Sequence, residues 1–503
     1  MLTKNYYNTK LRDRVLNYYR KDNRTLDKKT TQGFFHNIIF KISTNILEII
    51  SIAILARLIS KEDFGYFALC SVSMAIIYSV STLGLSKATI QHKSLNFRQS
   101  SNVFWINFYI GLIIILISFL IGYINSIIYD NKSLFFITLL LGLKLFTQSC
   151  SSQYLVLLNR KHQFKEIGLI QISSKFVSVL FTVILALFYQ NIFVLVFGAI
   201  IESLISLTLL LSVTKWLPVL PNKMNTIYPL LKFGGELSLS SILMILSKNI
   251  DKLLIGFYVN PSSTAIYQKS FNLTRKQVTE ISDSLRSVGL ATFSQITDDK
   301  HAFRSYYRNF TELIAYITIP LIFITAILSE EFVLMLLGNN WNECIPLITI
   351  FSIASIFEST SRLRSSVLIS LKLSKIIMKL QIYRGMFELL AIIIGLNWGI
   401  LGVTVCYSII ILFYSILSLL YAISYTPLKI SDYFLPISRP FFIMIFITGA
   451  FFLFDVNEFN FHNHFLNFIA KASSILIFFV SISLLNKDLR IKLFNFYKKI
   501  ITQ

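Results

Sequence analysis

The sequence has little charge and few cysteines. Only 14% of its 503 residues are Asp, Glu, Lys or Arg, against roughly 25% in a soluble domain, while 54% are hydrophobic. The four cysteines lack the spacing of a metal site, so buried structural thiols are expected. The chain also lacks a Walker-type phosphate loop, a selectivity-filter motif and any connection longer than about twenty residues. These absences argue against ATP hydrolysis on this chain, a dedicated ion channel and a membrane glycosyltransferase or oligosaccharide ligase.

What the sequence does contain is a series of long apolar runs, from Phe34 almost to the C-terminus. Many are near the roughly 20 residues that cross a bilayer as a helix. Runs such as 108–121 do not alternate apolar with polar residues, so the sequence predicts an all-α integral membrane protein rather than a closed β-barrel. Division of the sequence at charge clusters, Pro and Gly predicts about fourteen transmembrane helices. Their approximate extents are 34–56, 64–86, 103–128, 133–158, 167–189, 192–213, 230–257, 263–289, 310–328, 345–371, 376–396, 399–424, 437–454 and 466–485.

The loops between these spans predict the topology. Lys and Arg concentrate in alternate loops, which the positive-inside rule places in the cytoplasm together with both termini. The formal net charge of +22 is spread over these short loops, so it is a topology signal, and nucleic-acid binding is not expected. The predicted organisation is a basic cytoplasmic tail at 1–33, an N-terminal lobe of spans 1–6 at 34–213, a C-terminal lobe of spans 7–12 at 230–424, two extra spans at 437–485 and a basic cytoplasmic tail at 486–503.

An internal repeat links the two predicted lobes. Residues 56–68 end the first span and enter the second, and the similar residues 256–268 end the seventh and enter the eighth, two hundred residues later. Six spans separate the copies, so the lobes should be related by a pseudo-two-fold axis along the membrane normal, as in many transporters. Asp251 and Lys252, beside the second copy, are candidates for holding the gate between the lobes.

Ionisable residues at membrane depth are the functional candidates, because each costs several kcal/mol unless it faces protein or water. The eighth span has polar residues spaced by threes and fours, which predicts one continuous polar stripe. Such residues would line a hydrated cavity in which Lys and Arg bind the phosphate of a large anionic substrate. The candidate substrate-binding residues are Lys144, Lys175, Asn272, Arg275, Lys276, Glu280, Asp283, Arg362 and Arg384.

Internal ion pairing is the alternative for several of these residues. Arg362 with Glu358, and Arg384 with Glu388, have the i, i+4 spacing of a helical ion pair. A structural Arg275 would need a partner such as Glu280. Lys144 and Lys175 have no acid at helical spacing within their own spans apart from the remote Glu166, so exposure to the cavity is expected for them. Cations and acids at depth nearly balance, so counting alone does not predict a strongly positive cavity.

Two motifs resemble a known family. The first is Leu55-Ala-Arg-Leu-Ile-Ser-Lys-Glu-Asp-Phe-Gly-Tyr-Phe-Ala-Leu followed by Leu83-Gly-Leu-Ser-Lys-Ala-Thr-Ile-Gln, and the second is Asn249-Ile-Asp-Lys-Leu-Leu-Ile-Gly followed by Ala265-Ile-Tyr. They resemble the start and the seventh-span signature of polysaccharide-transport proteins, the O-antigen or lipid-linked oligosaccharide flippases of the multidrug, oligosaccharidyl-lipid and polysaccharide exporter superfamily. The resemblance covers residues 34–296 by motif and the rest by span pattern. The sequence departs from the family in its longer basic N-terminal tail and in Lys61, where Pro is common.

The resemblance implies a transporter rather than an enzyme, with two six-helix lobes in a V shape and two extra C-terminal helices. Its substrate would be an undecaprenyl-diphosphate-linked repeat unit of O-antigen, capsule or exopolysaccharide, moved from the inner to the outer leaflet of the plasma membrane by alternating access. The implied partners are that lipid-linked oligosaccharide, membrane lipids, a coupling ion (proton or sodium) and polysaccharide polymerase or assembly proteins. No cofactor or metal is expected. A multidrug and toxin extrusion antiporter, which exports cations, and a polysaccharide polymerase are the alternatives.

Overall fold

The computed structural model describes residues 26–91, 96–221, 249–453 and 464–485, and every regular element within them is a helix. In these ranges ten helical segments are long and apolar enough to cross a membrane. The all-α multi-pass membrane fold is therefore confirmed. The two basic tails, apart from residues 26–33, and the predicted seventh span, apart from its end, lie outside the described residues. The chain falls into two compact units, 1–265 and 266–503, which are described separately.

The first unit contains the helices of the first six predicted spans. They are α1 (Leu26–Leu58), α2 (Lys61–Gln91), α3 (Phe97–Ile128), α4 (Ser133–Arg160), α5 (Phe164–Phe188) and α6 (Ile192–Thr214). Helical residues 249–258, here α7, form the end of the predicted seventh span, and α8 (Pro261–Phe271) begins after a two-residue break.

The second unit continues from α8 to the end of the described chain. Its helices are a π-helical turn (Asn272–Lys276), α9 (Gln277–Phe293), α10 (Lys300–Ile327), α11 (Ser329–Leu336), α12 (Cys344–Ser361), α13 (Leu363–Ser370), α14 (Ser374–Gly395), α15 (Gly399–Ile423), α16 (Ser431–Leu453) and α17 (His464–Leu484).

Predicted and observed bounds differ most in the ninth span, which was predicted from residue 310 but begins at Lys300. Arg304 and Arg308 lie in this additional length of helix. Charge marks where a segment leaves the membrane, but a helix can continue into water because its backbone hydrogen bonds are internal. The charged residues at 304 and 308 therefore do not mark the start of this helix.

Small residues bring the helices of the first unit close together. A Cβ atom at Gly142 would collide with Ser118 on α3, and one at Gly198 would collide with Thr182 on α5. The Ser178 hydroxyl also donates to the Gly198 carbonyl at 2.8 Å, which joins α5 to α6. Close backbone approach and hydroxyl bonds between helices are the usual basis of packing in a bilayer, where the lipid is as apolar as the side chains.

The second unit packs α10, α16 and α17 around a core that contains Phe303 and Tyr307. At one end of this core the buried Asp432 carboxylate accepts from Arg304 Nε at 2.7 Å and lies 3.6 Å from Arg308 Nε. Further along, Lys471 on α17 forms a 2.8 Å ion pair with Glu331 on α11. These three ion pairs attach the last two described helices to the rest of the unit.

Candidate functional site

The eighth predicted span changes its helical geometry at the segment that contains Arg275 and Lys276. Between α8 and α9, residues Asn272–Lys276 form a π-helical turn, which has more residues per turn than an α-helix. Leu273, Thr274 and Arg275 are buried in this turn, whereas Asn272 and Lys276 are half-buried. The prediction of one continuous polar stripe with a 3.6-residue period is therefore wrong here. Single π turns of this kind are frequent at functional sites.

Arg275 is buried and paired within the second unit. Its side chain is only 3% exposed, its Nη2 atom donates to Glu358 Oε1 at 2.8 Å, and its Nε atom donates to the other carboxylate oxygen. Its Nη1 atom donates to the Tyr407 hydroxyl, and the guanidinium lies 4.9 Å from the ring centre of Phe271 and 5.0 Å from that of Tyr407. The acidic partner of Arg275 is therefore Glu358 on α12, rather than Glu280, which was named as an example of a structural partner.

Glu358 also accepts from two further arginines. Arg362 Nη2 and Arg384 Nη2 each donate to its Oε1 atom at 3.1 Å. Arg384 Nε donates to Glu388 at 2.8 Å, so both i, i+4 ion pairs suggested by the spacing are present. A carboxylate that accepts from three guanidinium groups is strongly stabilised in its charged form, even though burial in a membrane disfavours charge.

The network continues towards a more exposed edge. Arg362 Nη1 donates to Asp283 at 2.8 Å, and the other oxygen of Asp283 accepts from Arg286 Nε at 3.2 Å. Arg286 in turn donates to the Ser365 hydroxyl at 3.1 Å. Arg362 and Arg384 are 24% and 30% exposed, against 3% for Glu358. The charged cluster therefore has a buried core, at Arg275 and Glu358, and a partly exposed side.

Charge and backbone both distinguish this cluster, hereafter the arginine network. In the described part of the chain it contains four arginines and three carboxylates, an excess of one positive charge: Arg275, Arg286, Arg362 and Arg384 with Asp283, Glu358 and Glu388. It lies where two helices are interrupted, at the π turn and at Arg362 between α12 and α13. Interrupted helices at membrane depth are typical of transporter binding sites. The partly exposed guanidinium groups have the geometry to bind phosphate oxygens in pairs.

The first unit has a smaller charged group. Lys175 Nζ on α5 forms a 3.1 Å ion pair with Glu202 on α6, with side-chain exposures of 26% and 39%. Lys144 is half-buried on α4, and one turn further on the Thr147 hydroxyl donates to Ser203, the residue after Glu202, at 2.7 Å. Lys175 therefore does have an acidic partner, contributed by the following helix.

The two copies of the internal repeat contact each other within the first unit. A Cβ atom at Gly65 would overlap the Pro261 backbone, and one at Gly256 would overlap the Leu69 side chain. The two gate candidates are engaged locally: the Asp251 carboxylate accepts from its neighbour's backbone N–H at 2.8 Å, and Lys252 Nζ donates to the Asn249 side chain at 2.8 Å. Close backbone packing at glycine thus accompanies the polar contacts at this junction.

The structure brings four of the predicted site residues together and leaves others elsewhere. Arg275, Asp283, Arg362 and Arg384 belong to the arginine network, while Asn272, Lys276 and Glu280 lie half-buried on the same interrupted helix. Lys144 and Lys175 belong to the first unit. The predicted set omitted the network members Glu358, Glu388 and Arg286, and also Tyr407, whose hydroxyl accepts from Arg275. The charged members could have been identified from their positions within predicted spans. Nothing in the sequence singles out Tyr407.

The chain is similar to known proteins both in sequence and in fold. The sequence profile of the family described as "Polysaccharide biosynthesis protein" matches residues 54–346. The lipopolysaccharide biosynthesis protein WzxC of Escherichia coli K12 is 23% identical over 81% of this chain and 83% of its own length. The teichuronic acid biosynthesis protein TuaB of Bacillus subtilis 168 is 21% identical over 69% of this chain and 72% of its own.

The fold is similar to that of the lipid II flippase MurJ in an inward closed conformation. The TM-score is 0.71, the alignment covers 92% of this chain and 100% of the other, and the sequence identity is 16%. At that identity the similarity establishes the fold alone.

Proposed function

This chain belongs to the polysaccharide biosynthesis protein family, and we propose that it is a flippase for undecaprenyl-diphosphate-linked oligosaccharide repeat units. It would move them from the inner to the outer leaflet of the plasma membrane during synthesis of O-antigen, capsule or exopolysaccharide. The names of its relatives, which refer to lipopolysaccharide and teichuronic acid biosynthesis, support this class of substrate. A diphosphate cannot cross hydrocarbon unaided, so transport requires a protein that binds it at membrane depth.

The observation that carries the proposal is the positive excess of the arginine network. A cation exporter would need an excess of acid at membrane depth, whereas four arginines face three carboxylates here. An excess cation in a bilayer is retained only beside water, an acid or an anionic ligand. The balance therefore favours an anionic substrate over the cations that a multidrug and toxin extrusion antiporter would carry.

We assign different roles to the arginines by their exposure. Arg286, Arg362 and Arg384 are the partly exposed members. Arg362 and Arg384 are the two that also bond to Glu358, so they would contact the diphosphate, with Asp283 near the same edge to bond sugar hydroxyls. Arg275 would position them, because its bonds to Glu358 fix the carboxylate that both of the other arginines share. Lys144 and Lys175 would contact anionic groups of the substrate from the first unit.

The transport cycle is proposed to be alternating access between two lobes related by a pseudo-two-fold axis, with about fourteen spans and both termini in the cytoplasm. Close packing of Gly65 on Pro261 would form part of the outer gate, with Asp251 and Lys252 beside it. The energy would come from a proton or sodium gradient or from the membrane potential, so an ionophore that abolishes that gradient should stop transport.

Deletion of this protein in the parent strain tests the function. With radiolabelled lipid-linked glycan, intact repeat units should accumulate where only reagents in the cytoplasm reach them, and the wild-type chain should restore transfer. Normal translocation in the deletion strain would reject the proposal. Accumulation of translocated but unpolymerised units would instead indicate a polysaccharide polymerase.

A further inference from the structure

A second cationic cluster lies outside the arginine network, between the start of α14 and the end of α15. Lys379 Nζ donates to the Tyr421 hydroxyl at 3.3 Å and lies 5.5 Å from the ring centre of Tyr421 and 5.9 Å from that of Tyr383. The Tyr425 hydroxyl donates to the Tyr421 hydroxyl at 3.3 Å. These four residues, hereafter the lysine–tyrosine cluster, are all at least partly exposed.

The cluster has N–H and O–H protons that remain available to donate to a ligand. A tyrosine hydroxyl has two lone pairs and one proton, and Tyr421 uses both lone pairs to accept from Lys379 and Tyr425. Its own proton remains available for donation. The Lys379 ammonium has three protons, and this bond uses one of them. The cluster can therefore donate several hydrogen bonds to one anionic group.

The sequence around the cluster is basic and almost free of acid. Between residues 359 and 431 the single acidic residue is Glu388, and its carboxylate is occupied by Arg384. Lys372, Lys375 and Lys429 flank the cluster in the sequence. The positive-inside pattern places this end of the helices at the cytoplasmic surface, where the leaflet carries anionic lipid.

An exposed apolar stripe leads away from the cluster along both helices. On α14 the exposed side chains Ile382, Met386 and Leu390 follow Lys379 at helical spacing. On α15 Leu417 and Phe413 lie one and two turns before Tyr421 and are also exposed. A polar, cationic head beside an apolar stripe matches the shape of a lipid, with a charged headgroup at the interface and chains in the bilayer.

We propose that the lysine–tyrosine cluster binds the phosphodiester headgroup of an anionic phospholipid. Lys379 and the Tyr421 hydroxyl would donate to the phosphate oxygens, and the acyl chains would lie along the apolar stripe. The site is distinct from the arginine network and holds a resident lipid rather than a transported one.

Native mass spectrometry of the full-length protein, in detergent with equal amounts of phosphatidylglycerol and phosphatidylcholine, tests the site. The wild-type protein should retain phosphatidylglycerol preferentially. Lys379→Gln should reduce that retention about five-fold, because it removes the ammonium group that contacts the headgroup phosphate. Tyr421→Phe, which removes a single oxygen atom, should reduce it as well while leaving the melting temperature without lipid unchanged. Lys372→Gln is the matched control, because it removes a neighbouring exposed lysine that is not part of the cluster.

Three results would overturn the proposal. Equal retention by Lys379→Gln, Tyr421→Phe and the wild type would mean that the cluster does not bind the headgroup. Equal retention of the two lipids by the wild type would mean that the apolar stripe alone holds them. Displacement of phosphatidylglycerol by a small amount of undecaprenyl phosphate would assign the site to the lipid carrier of the substrate instead.

Discussion

The helices of the two units are held together by different kinds of contact. In the first unit, glycines and hydroxyls allow close contact between helices, as at Gly142 against Ser118 and at Gly198 against Thr182. The second unit brings four arginines and three carboxylates together, and three of these arginines bond to Glu358. Close packing costs little electrostatic free energy, whereas buried charges must be fully paired to be tolerated. A structural need alone does not explain the arginine network, which supports a role in binding.

Substitution of Glu358 should have the largest effect, because it is the common acceptor of three arginines. Glu358→Gln keeps the shape of the side chain but leaves the buried Arg275 without a carboxylate. Removing one partner of a buried ion pair costs about 3–5 kcal/mol. We expect little folded protein in the membrane and a clearly lower melting temperature in detergent, measured by fluorescence-detected size-exclusion chromatography.

The matched control for Glu358→Gln is Glu330→Gln, which removes an exposed acid of the same unit. It should express like the wild type. If Glu358→Gln also expressed like the wild type, the hydrogen bonds from the arginines to Glu358 would contribute little to stability. The proposed difference between the two units would then be wrong.

The corresponding test in the first unit is Gly65→Ala, because the new methyl group would overlap the Pro261 backbone. Overpacking of this kind typically costs about 1–3 kcal/mol, and here the cost falls on the conformation in which the repeat copies touch. A cysteine placed at the buried Ser263, two residues after Pro261, should then react faster with a membrane-impermeant thiol reagent applied from outside. Gly449→Ala is the control, since nothing lies within 4 Å of its Cβ position. An unchanged reaction rate in Gly65→Ala would argue against a gate at this contact.

Arg362→Gln should separate binding from stability. Arg362 is partly exposed, and in its absence Glu358 still accepts hydrogen bonds from Arg275 and Arg384. We expect at least a tenfold loss of glycan translocation, about 1.4 kcal/mol or more, with a near-normal amount of protein. Arg362→Lys should recover part of the activity, since it keeps the charge but not the paired hydrogen bonds. Lys300→Gln, at an exposed helix start, controls for loss of positive charge. Lower protein without a specific transport defect would reduce Arg362 to a structural role.

The sequence predicted local features, such as helices and ion pairs within one helix. It did not predict contacts between residues that are far apart in the chain. Apolar runs predicted the helices, and i, i+4 spacing predicted the pairs of Arg362 with Glu358 and of Arg384 with Glu388, because both are local properties. The pair of Arg275 with Glu358 joins residues 83 positions apart, and no periodicity in a single sequence reports such a contact. The π turn was also missed, because its residues are compatible with an α-helix.

Exchanging the charges of Lys175 and Glu202 should have the smallest effect on stability among these substitutions. Both side chains are partly exposed, and polar contacts between membrane helices are worth about 0.6 kcal/mol on average. The double variant Lys175→Glu with Glu202→Lys keeps an ion pair and should melt within a degree or two of the wild type. If Lys175 binds the anionic substrate from its own helix, this variant should still lose translocation, because the positive charge has moved from α5 to α6. Lys175→Arg keeps the charge in place and should remain active. Wild-type transport by the reversed pair would show that only the bond between the two helices matters, and would leave the arginine network as the principal candidate for binding the substrate.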